Sequence, residues 1–498
     1  MVFAVALLAL GLGYAVVESI TLAIILAGAG AALLLWCGVL LLVDWLSMAR
    51  FDFSIAPRKQ HYIQALVQSS VLLYWGFYWP SVYQHSVLIL AQILFAYGFS
   101  ILLSWSRREP YILGFGPVPI IFSINLFLWF KDEWFYLQFV MIAIGFLGKE
   151  FVRWQRDGKR VHIFNPSAFA LGIFSLLLIA TGTTALTWGP EIASTLTLAP
   201  NIYLFLFLAG LVVMYFFSIT LVAMCAAATL FGLSALYSTI TGVPYFLDSE
   251  IPAAVFLGLH LLITDPSTSP RSLLGKAIFG VLYGIGVFGL YSLLGSIGAP
   301  TFYDKLLVVP VLNLSVIAID QFVQWVLSKN QWRTNLPPQT LNLRYMAVWI
   351  LFFGTMALLN KTDGRHTGDS IPFWQQSCAE KRTQACERLL LLEETYCRDG
   401  SGWACNELGL HYRQSSMGKP DPRLADQFFA RACELRFQAA CVNVLNEEAV
   451  VQSNPKTLDL RLLLRQGGQN LMAMNEPELM ARACEHGWTF ACVTVSSR

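Results

Sequence analysis

From residue 1 to about residue 360 the chain alternates apolar stretches, mostly of 15 to 25 residues, with short polar connections. About 20 apolar residues carry a helix across the hydrocarbon core of a bilayer. Such a crossing must satisfy its own backbone hydrogen bonds, so each stretch predicts a helix. Thirteen segments can be counted: 3–17, 19–46, 62–80, 83–105, 111–130, 134–151, 164–181, 202–217, 218–240, 251–264, 274–294, 305–327 and 343–360. No Lys or Arg occurs before Arg50, so the positively charged start of a cleaved signal peptide is missing. The first two segments therefore read as a retained hairpin, with 3–17 short for a full crossing.

The basic residues give these helices a direction. Arg50, Arg58 and Lys59 follow the second segment, and Arg107 and Arg108 the fourth. Arg153, Arg156, Lys159 and Arg160 follow the sixth, Arg271 and Lys276 the tenth, and Lys329, Arg333 and Arg344 the twelfth. Strict alternation puts all of these loops on one side, and the intervening loops hold little positive charge. Excess Lys and Arg marks the cytoplasmic side. The expectation is a multi-pass protein of the bacterial inner membrane, with residues 361–498 periplasmic or otherwise extracytoplasmic.

Cysteine spacing points the same way. Cys37 and Cys225 lie in apolar segments, where a thiol acts as a small hydrophobe. The other eight form four pairs with seven residues inside each: Cys378/Cys386, Cys397/Cys405, Cys433/Cys441 and Cys484/Cys492. Zinc sites favour ligands two to four residues apart with His nearby, and the tail has only His366, His411 and His486. Four disulfides are expected instead, which suits an oxidising compartment. The tail also repeats: Ala432-Cys433-Glu434 with Ala440-Cys441 returns as Ala483-Cys484-Glu485 with Ala491-Cys492. Cys397 to Cys433 is 36 residues, a period typical of two-helix units. Residues 375–495 resemble cysteine-rich Sel1-like repeats, with a short first unit and a departure around 446–475. The resemblance implies a small α-solenoid that docks a protein partner.

Composition agrees with this division. The chain of 498 residues is 56% hydrophobic and only 13% charged, against roughly 25% charged in soluble proteins. The partners expected are the lipid bilayer, other membrane subunits and a periplasmic protein, with no nucleic acid.

Three polar stretches sit where lipid would forbid them unless protein surrounds them. Phe164-Asn165-Pro166-Ser167 opens one helix. Thr264-Asp265-Pro266-Ser267-Thr268-Ser269-Pro270 closes another. Asn313 and Asp320 lie seven residues apart, about two turns, on one helix face. Each has an ordinary structural reading, as a helix start, a turn and a hydrated acid. Together and in this order they resemble the RnfD/NqrB superfamily: the RnfD membrane proteins of Rnf electron-transport complexes and their NqrB relatives in the sodium-pumping quinone reductase. The resemblance covers about 62–327. It implies ten helices in two inverted sets of five, with the hairpin 1–46, the helix 343–360 and the tail 361–498 as additions. The fold expected is thus all-α: a polytopic helix bundle with an extracytoplasmic solenoid.

The same resemblance implies a flavin, FMN or riboflavin, or a quinone. Its binding residues would be Asn165, Thr264, Asp265, Thr268, Ser269, Asn313 and Asp320. Members that carry covalent FMN attach it to a Thr in Asp-x-x-Ser-Gly-Ala-Thr. Here the loop reads Glu191-Ile192-Ala193-Ser194-Thr195-Leu196-Thr197. Thr-Leu in place of Gly-Ala argues against attachment at Thr197 and is closer to the RnfD-like proteins found beside enediyne biosynthesis genes. His260 lies in an apolar segment, either as a neutral buried imidazole or as a proton or flavin contact. No haem-attachment, iron–sulfur or nucleotide-loop pattern is present. An electron-transfer subunit is the leading expectation, without a catalytic constellation of its own. The alternatives are a cofactor-free transporter or scaffold on the same fold, or a membrane anchor for the repeats.

Overall fold

The computed structural model describes residues 1–17, 19–47, 51–156, 158–247, 249–329, 337–362, 366–369, 371–398, 402–414, 420–435 and 438–445. These are helical almost throughout, with four strands of three or four residues among them. The chain divides into two units: Met1–Leu230 with Ala253–Thr355, and Phe231–Pro252 with Met356–Arg498.

The first unit opens with α1 (Val2–Val17) and α2 (Ile20–Ser47), which pack along each other and against α5. Next come β1 (Phe53–Ile55), α3 (Lys59–Tyr78), α4 (Ser81–Gln84), α5 (Ser86–Ser106) and β2 (Tyr111–Leu113). α6 (Pro117–Asn125) and α7 (Tyr136–Phe151) lead into the hairpin of β3 (Arg153–Arg156) and β4 (Lys159–His162). Then follow α8 (Pro166–Ala180), α9 (Gly189–Thr195), α10 (Ile202–Phe217), α11 (Thr220–Thr241), α12 (Ala253–Leu261), α13 (Leu273–Ser296), α14 (Asp304–Lys329) and α15 (Pro338–Leu358). The division between the units falls within α11. β1 pairs in parallel with β2, Phe53 opposite Tyr111.

Among the described residues, six helices are long and apolar enough to cross a membrane, and a seventh is gained if the α9 segment and α10, bent by 101°, form one span. Two segments expected to be helical throughout, 111–130 and 251–264, hold helices of only nine residues, α6 and α12. Nine residues rise about 13 Å, less than half of a bilayer core. For α12 the reason is local. Pro252 precedes it, and Pro266 drives the residue before it out of helical conformation. For α6 the reason is tertiary. Beyond Asn125 the backbone leaves the helix, and the side chain of Gln138 takes over its hydrogen bonds: Oε1 accepts from the Phe130 N–H (3.2 Å) and Nε2 donates to the Leu128 carbonyl (3.3 Å).

Element lengths then recur in order. Two helices of 16 or more residues, a nine-residue half helix and two further helices of 15 or more make up α3, α5, α6, α7 and α8, and again α10, α11, α12, α13 and α14. The first helices of the two series, α3 and α10, pack together, as do the last, α8 and α14. α14 carries Pro310 in its interior. Gly172 of α8 gives that ring room, since a Cβ there would lie 2.6 Å from Pro310 Cγ.

The second unit holds α16 (Ile371–Ala379), α17 (Ala385–Arg398), α18 (Gly402–Gln414), α19 (Pro422–Glu434) and α20 (Gln438–Leu445), each packed on the next. Disulfides Cys378–Cys386, Cys397–Cys405 and Cys433–Cys441 staple α16 to α17, α17 to α18 and α19 to α20. The expected fourth pair, Cys484/Cys492, and the irregular stretch 446–475 lie outside the described residues. The core gathers Trp374, Leu389, Leu392, Ala404, Leu408 and Phe429, together with Val243 from 231–252. That inserted segment is also tied by polar contacts: Lys361 to Glu250 (2.7 Å), and Arg382 to the Gly242 carbonyl (2.9 Å).

Candidate functional site

The three polar motifs, up to 148 residues apart in hydrogen-bonded pairs, meet at the end of the first unit that carries the strands. Asn165 caps α8: its Oδ1 accepts from the Ser167 N–H (3.1 Å), the Ser167 hydroxyl (2.7 Å) and the Ala168 N–H (3.3 Å). Its own N–H donates to Asn313 Oδ1 (3.1 Å), and its Nδ2 to the Leu262 carbonyl (3.4 Å). Asn313 Nδ2 donates to the Thr268 carbonyl (3.1 Å). Two amides thus hold the non-helical stretch that follows α12, which is how irregular backbone survives inside an apolar bundle.

Arg156 completes the link. Its two terminal nitrogens donate to the Ser269 carbonyl, both at 3.1 Å, and Nη2 also meets Asp320 Oδ2 at 2.7 Å. The guanidinium is buried, and Asp320 is mostly so. Within the loop, Asp265 Oδ1 accepts the Ser267 N–H (2.9 Å) and hydroxyl (2.6 Å), while the Ser269 hydroxyl donates to the Asp265 carbonyl (2.7 Å). The Thr264 hydroxyl donates to the His260 carbonyl (2.5 Å). Thr264, Thr268 and Ser269 are buried, whereas Pro266 and Ser267 are exposed. The loop therefore offers a ligand its tip, not the amides that hold it.

Thr197 lies elsewhere. It is exposed on the turn before α10, and its hydroxyl donates to the Ser194 carbonyl (2.8 Å). The far end of α10 is near the motif loop, because Ser218 there accepts from Lys276 (2.8 Å). Sixteen helical residues, about 24 Å, separate the two places.

Hydropathy alone left other groups unremarked. His162 Nε2 lies 3.0 Å from the Ser267 hydroxyl. Burial, with Lys149 and Arg153 nearby, holds this imidazole below its ordinary range, although Asp265 opposes them. A second cluster is made of carboxamides. Gln92 and Asn125 exchange two hydrogen bonds (3.0 and 2.7 Å), Gln138 donates to Gln92 Oε1 (3.2 Å), and Gln68 donates to the Ser123 hydroxyl (2.8 Å). All five residues are buried. Their signal was a Gln or Asn inside each of four apolar segments. Beside them His85 stacks on Trp129, centroids 4.3 Å apart and planes within 5°.

His260 is fully buried, with Nδ1 2.8 Å from the Phe256 carbonyl and Nε2 without a hydrogen-bond partner among the described residues. Phe207, Phe256 and Trp349 surround it. Among the described residues no group of three His, Cys, Asp or Glu side chains is placed to hold a metal ion.

No family model, no curated protein and no solved structure matches the chain.

Proposed function

We propose that the first unit is the membrane-embedded part of an electron-transfer subunit of RnfD-like type, holding a flavin noncovalently or a quinone. On this reading the two five-element series are inverted repeats, and the second unit is an extracytoplasmic Sel1-like domain that docks a partner protein. One observation carries the reading. Asn165, the loop 264–270, Asn313 and Asp320, the motifs that bear the resemblance, join through Arg156 in one hydrogen-bonded assembly beyond the end of the half helix α12. In membrane proteins built from inverted repeats, the ends of broken helices are where ligands are placed.

Two amides and an arginine fix the loop backbone, so a flavin or quinone would meet its exposed tip, Asp265 to Ser267. Thr197, about 24 Å off, has no part in that contact. A bound flavin or quinone would supply the electron-carrying chemistry, and the chain would supply position and shelter from water. The optical spectrum of the purified full-length protein tests this. Flavin absorbance released by denaturation, or a quinone recovered by extraction, is expected; neither being found would sink the reading.

A second reading has its own support. The carboxamide cluster of Gln68, Gln92, Asn125 and Gln138 places neutral polar groups inside an apolar bundle, as a path for an ion or small solute would require. A transporter that kept the fold and lost the cofactor would show solute flux in proteoliposomes, reduced in Gln92→Leu. Flux that is absent, or unchanged in that variant, removes this alternative.

A further inference from the structure

The turn between α16 and α17 lies inside the span that the Cys378–Cys386 disulfide closes. Two of its residues, Lys381 and Gln384, hold φ at +56°, in the left-handed region that a Cβ makes unfavourable. Lys381 ends α16 in the place glycine usually takes. Its N–H donates to the Cys378 carbonyl (2.9 Å), and the next N–H, of Arg382, to the Ser377 carbonyl (3.0 Å). Gln384 directly precedes α17, which opens on the fully buried Ala385.

This turn is also what grips the segment 231–252, which belongs to the same unit. Arg382 Nη1 donates to the Gly242 carbonyl at 2.9 Å, and the Tyr237 hydroxyl donates to Gln384 Oε1 at 3.3 Å. Val243 is buried in one core cluster with Ala385 and Leu389. The grip therefore depends on Arg382 and Gln384 staying where the two left-handed residues put them. Access to the disulfides differs as well. Cys397 and Cys405 are buried, 5% and 0% exposed, whereas Cys378 and Cys386 are both partly exposed. Thiol–disulfide exchange requires an attacking thiolate to reach a sulfur, and exposed or strained links are the labile ones.

We propose that Cys378–Cys386 is a redox latch: its reduction by a dithiol frees the segment 231–252 from the tail. One thiolate of the dithiol attacks a sulfur of the pair and forms a mixed disulfide, and the second thiol then displaces the remaining cysteine. Two electrons and two protons pass from the dithiol to the pair, which leaves two cysteine thiols and the reductant as its own disulfide. With the link open, Lys381 and Gln384 leave the left-handed region, and Arg382 and Gln384 come away from Gly242 and Tyr237. The buried Cys397–Cys405 bond continues to hold α17 on α18, so the latch loosens one segment and not the whole tail. None of this depends on a flavin or a quinone.

The experiment uses the full-length protein in nanodiscs, equilibrated with graded ratios of reduced to oxidised dithiothreitol. Alkylation and mass spectrometry report which cysteines are free, and amide hydrogen exchange is followed over 237–243 and over α18 and α19. Cys378 and Cys386 are expected to be alkylated while Cys397 and Cys405 are still joined. Exchange over 237–243 should then rise roughly tenfold or more, the factor for two ordinary hydrogen bonds lost, with α18 and α19 unchanged and the rise reversed on reoxidation. Cys378→Ser with Cys386→Ser should exchange fast without reductant, and Cys433→Ser with Cys441→Ser should keep the slow rate. If the first double variant does not fold, the titration of the wild type decides alone. The latch is refuted if Cys397–Cys405 opens first, or if 237–243 exchanges no faster once Cys378–Cys386 is open. It is equally refuted if α18 and α19 loosen to the same degree, since the bond would then be a general staple.

Discussion

At the scale of single residues, space and charge each make one position decisive. Gly210 of α10 faces His260 so closely that a Cβ would lie 2.0 Å from the imidazole Cδ2. Gly210→Ala therefore forces either the ring or a helix to move, at a cost of about 1–3 kcal/mol, as overpacked cores show. Thermal unfolding in detergent should register the loss. Adding His260→Ala should restore part of it, because the clash and its relief involve the same pair. An unchanged melting temperature in Gly210→Ala would mean the slot is looser than described. In the second unit, Glu393 of α17 is fully buried, 3.2 Å from His411 Nε2 of α18. Burial raises the Glu393 carboxyl to about 7, against the pull of His411. His411 is itself raised: burial works against its charge, but the bond and charge of Glu393 outweigh that, with Glu407 adding to them. The folded pair thus holds more protons than the unfolded chain once pH exceeds the ordinary carboxylate range. Its stabilisation is complete below about 4.3 and is lost as pH rises to about 7 and beyond. Proteolytic resistance of α17–α18 should fall over that window. Glu393→Gln, which cannot titrate, should flatten the dependence.

At the scale of elements, the hydropathy pattern located the helices well because each long one satisfies its own backbone. It could not see where a helix stops inside an apolar run. Leu126, Phe127, Leu128, Trp129 and Phe130 look like continued helix by composition and are fully or nearly fully buried. What ends α6 is a set of hydrogen bonds supplied by Gln138 and a bridge from Phe130 to Thr187, both tertiary. The site shows the same limit. Asn165, Asp265 and Asn313 were legible as polar residues in the wrong solvent. Arg156 read as one more loop charge, since its partners Ser269 and Asp320 lie 113 and 164 residues away. The disulfides were legible because each is local, eight residues apart and across a single turn. Each closes so short a loop that the chain-entropy model assigns it about 2.5 kcal/mol. Replacing both Cys397 and Cys405 by Ser should destabilise the α17–α18 pair by that order, measured as the shift in denaturant midpoint for its protease resistance. Loss well below 1 kcal/mol would indicate that packing on Leu408 and Phe429 does most of the holding.

At the scale of the whole molecule, the crossings of the first unit lead to an expected side for the tail, which fusion reporters can check. The contacts within the first unit fix several crossings without reference to any bilayer. The loop after α5 and the end of α7 lie together, since Arg107 meets Glu150 at 2.7 Å. The stretch containing α6 must then traverse the bundle despite its half helix. The hairpin after α7 and the loop after α12 also lie together, through His162 with Ser267 and Arg156 with Ser269. That makes the number of crossings between them even and requires the α12 stretch to traverse as well. α15 starts at this same end, because Asn342 donates to the Met214 carbonyl (3.0 Å), near the end of α10. Its last residues therefore lie at the opposite end. The shared end carries Arg58, Lys59, Arg107, Arg153, Arg156 and Lys276, a charge bias from which a cytoplasmic face is expected. Alkaline phosphatase fused after Asn360 is expected to be active and a green fluorescent protein at the same point dark, with both outcomes exchanged for fusions after Arg108. Whether α1 spans does not affect the result, since it shifts only the N-terminus. A fluorescent fusion at Asn360 would place the stapled tail in a reducing compartment, where its disulfides would have no oxidant to keep them closed.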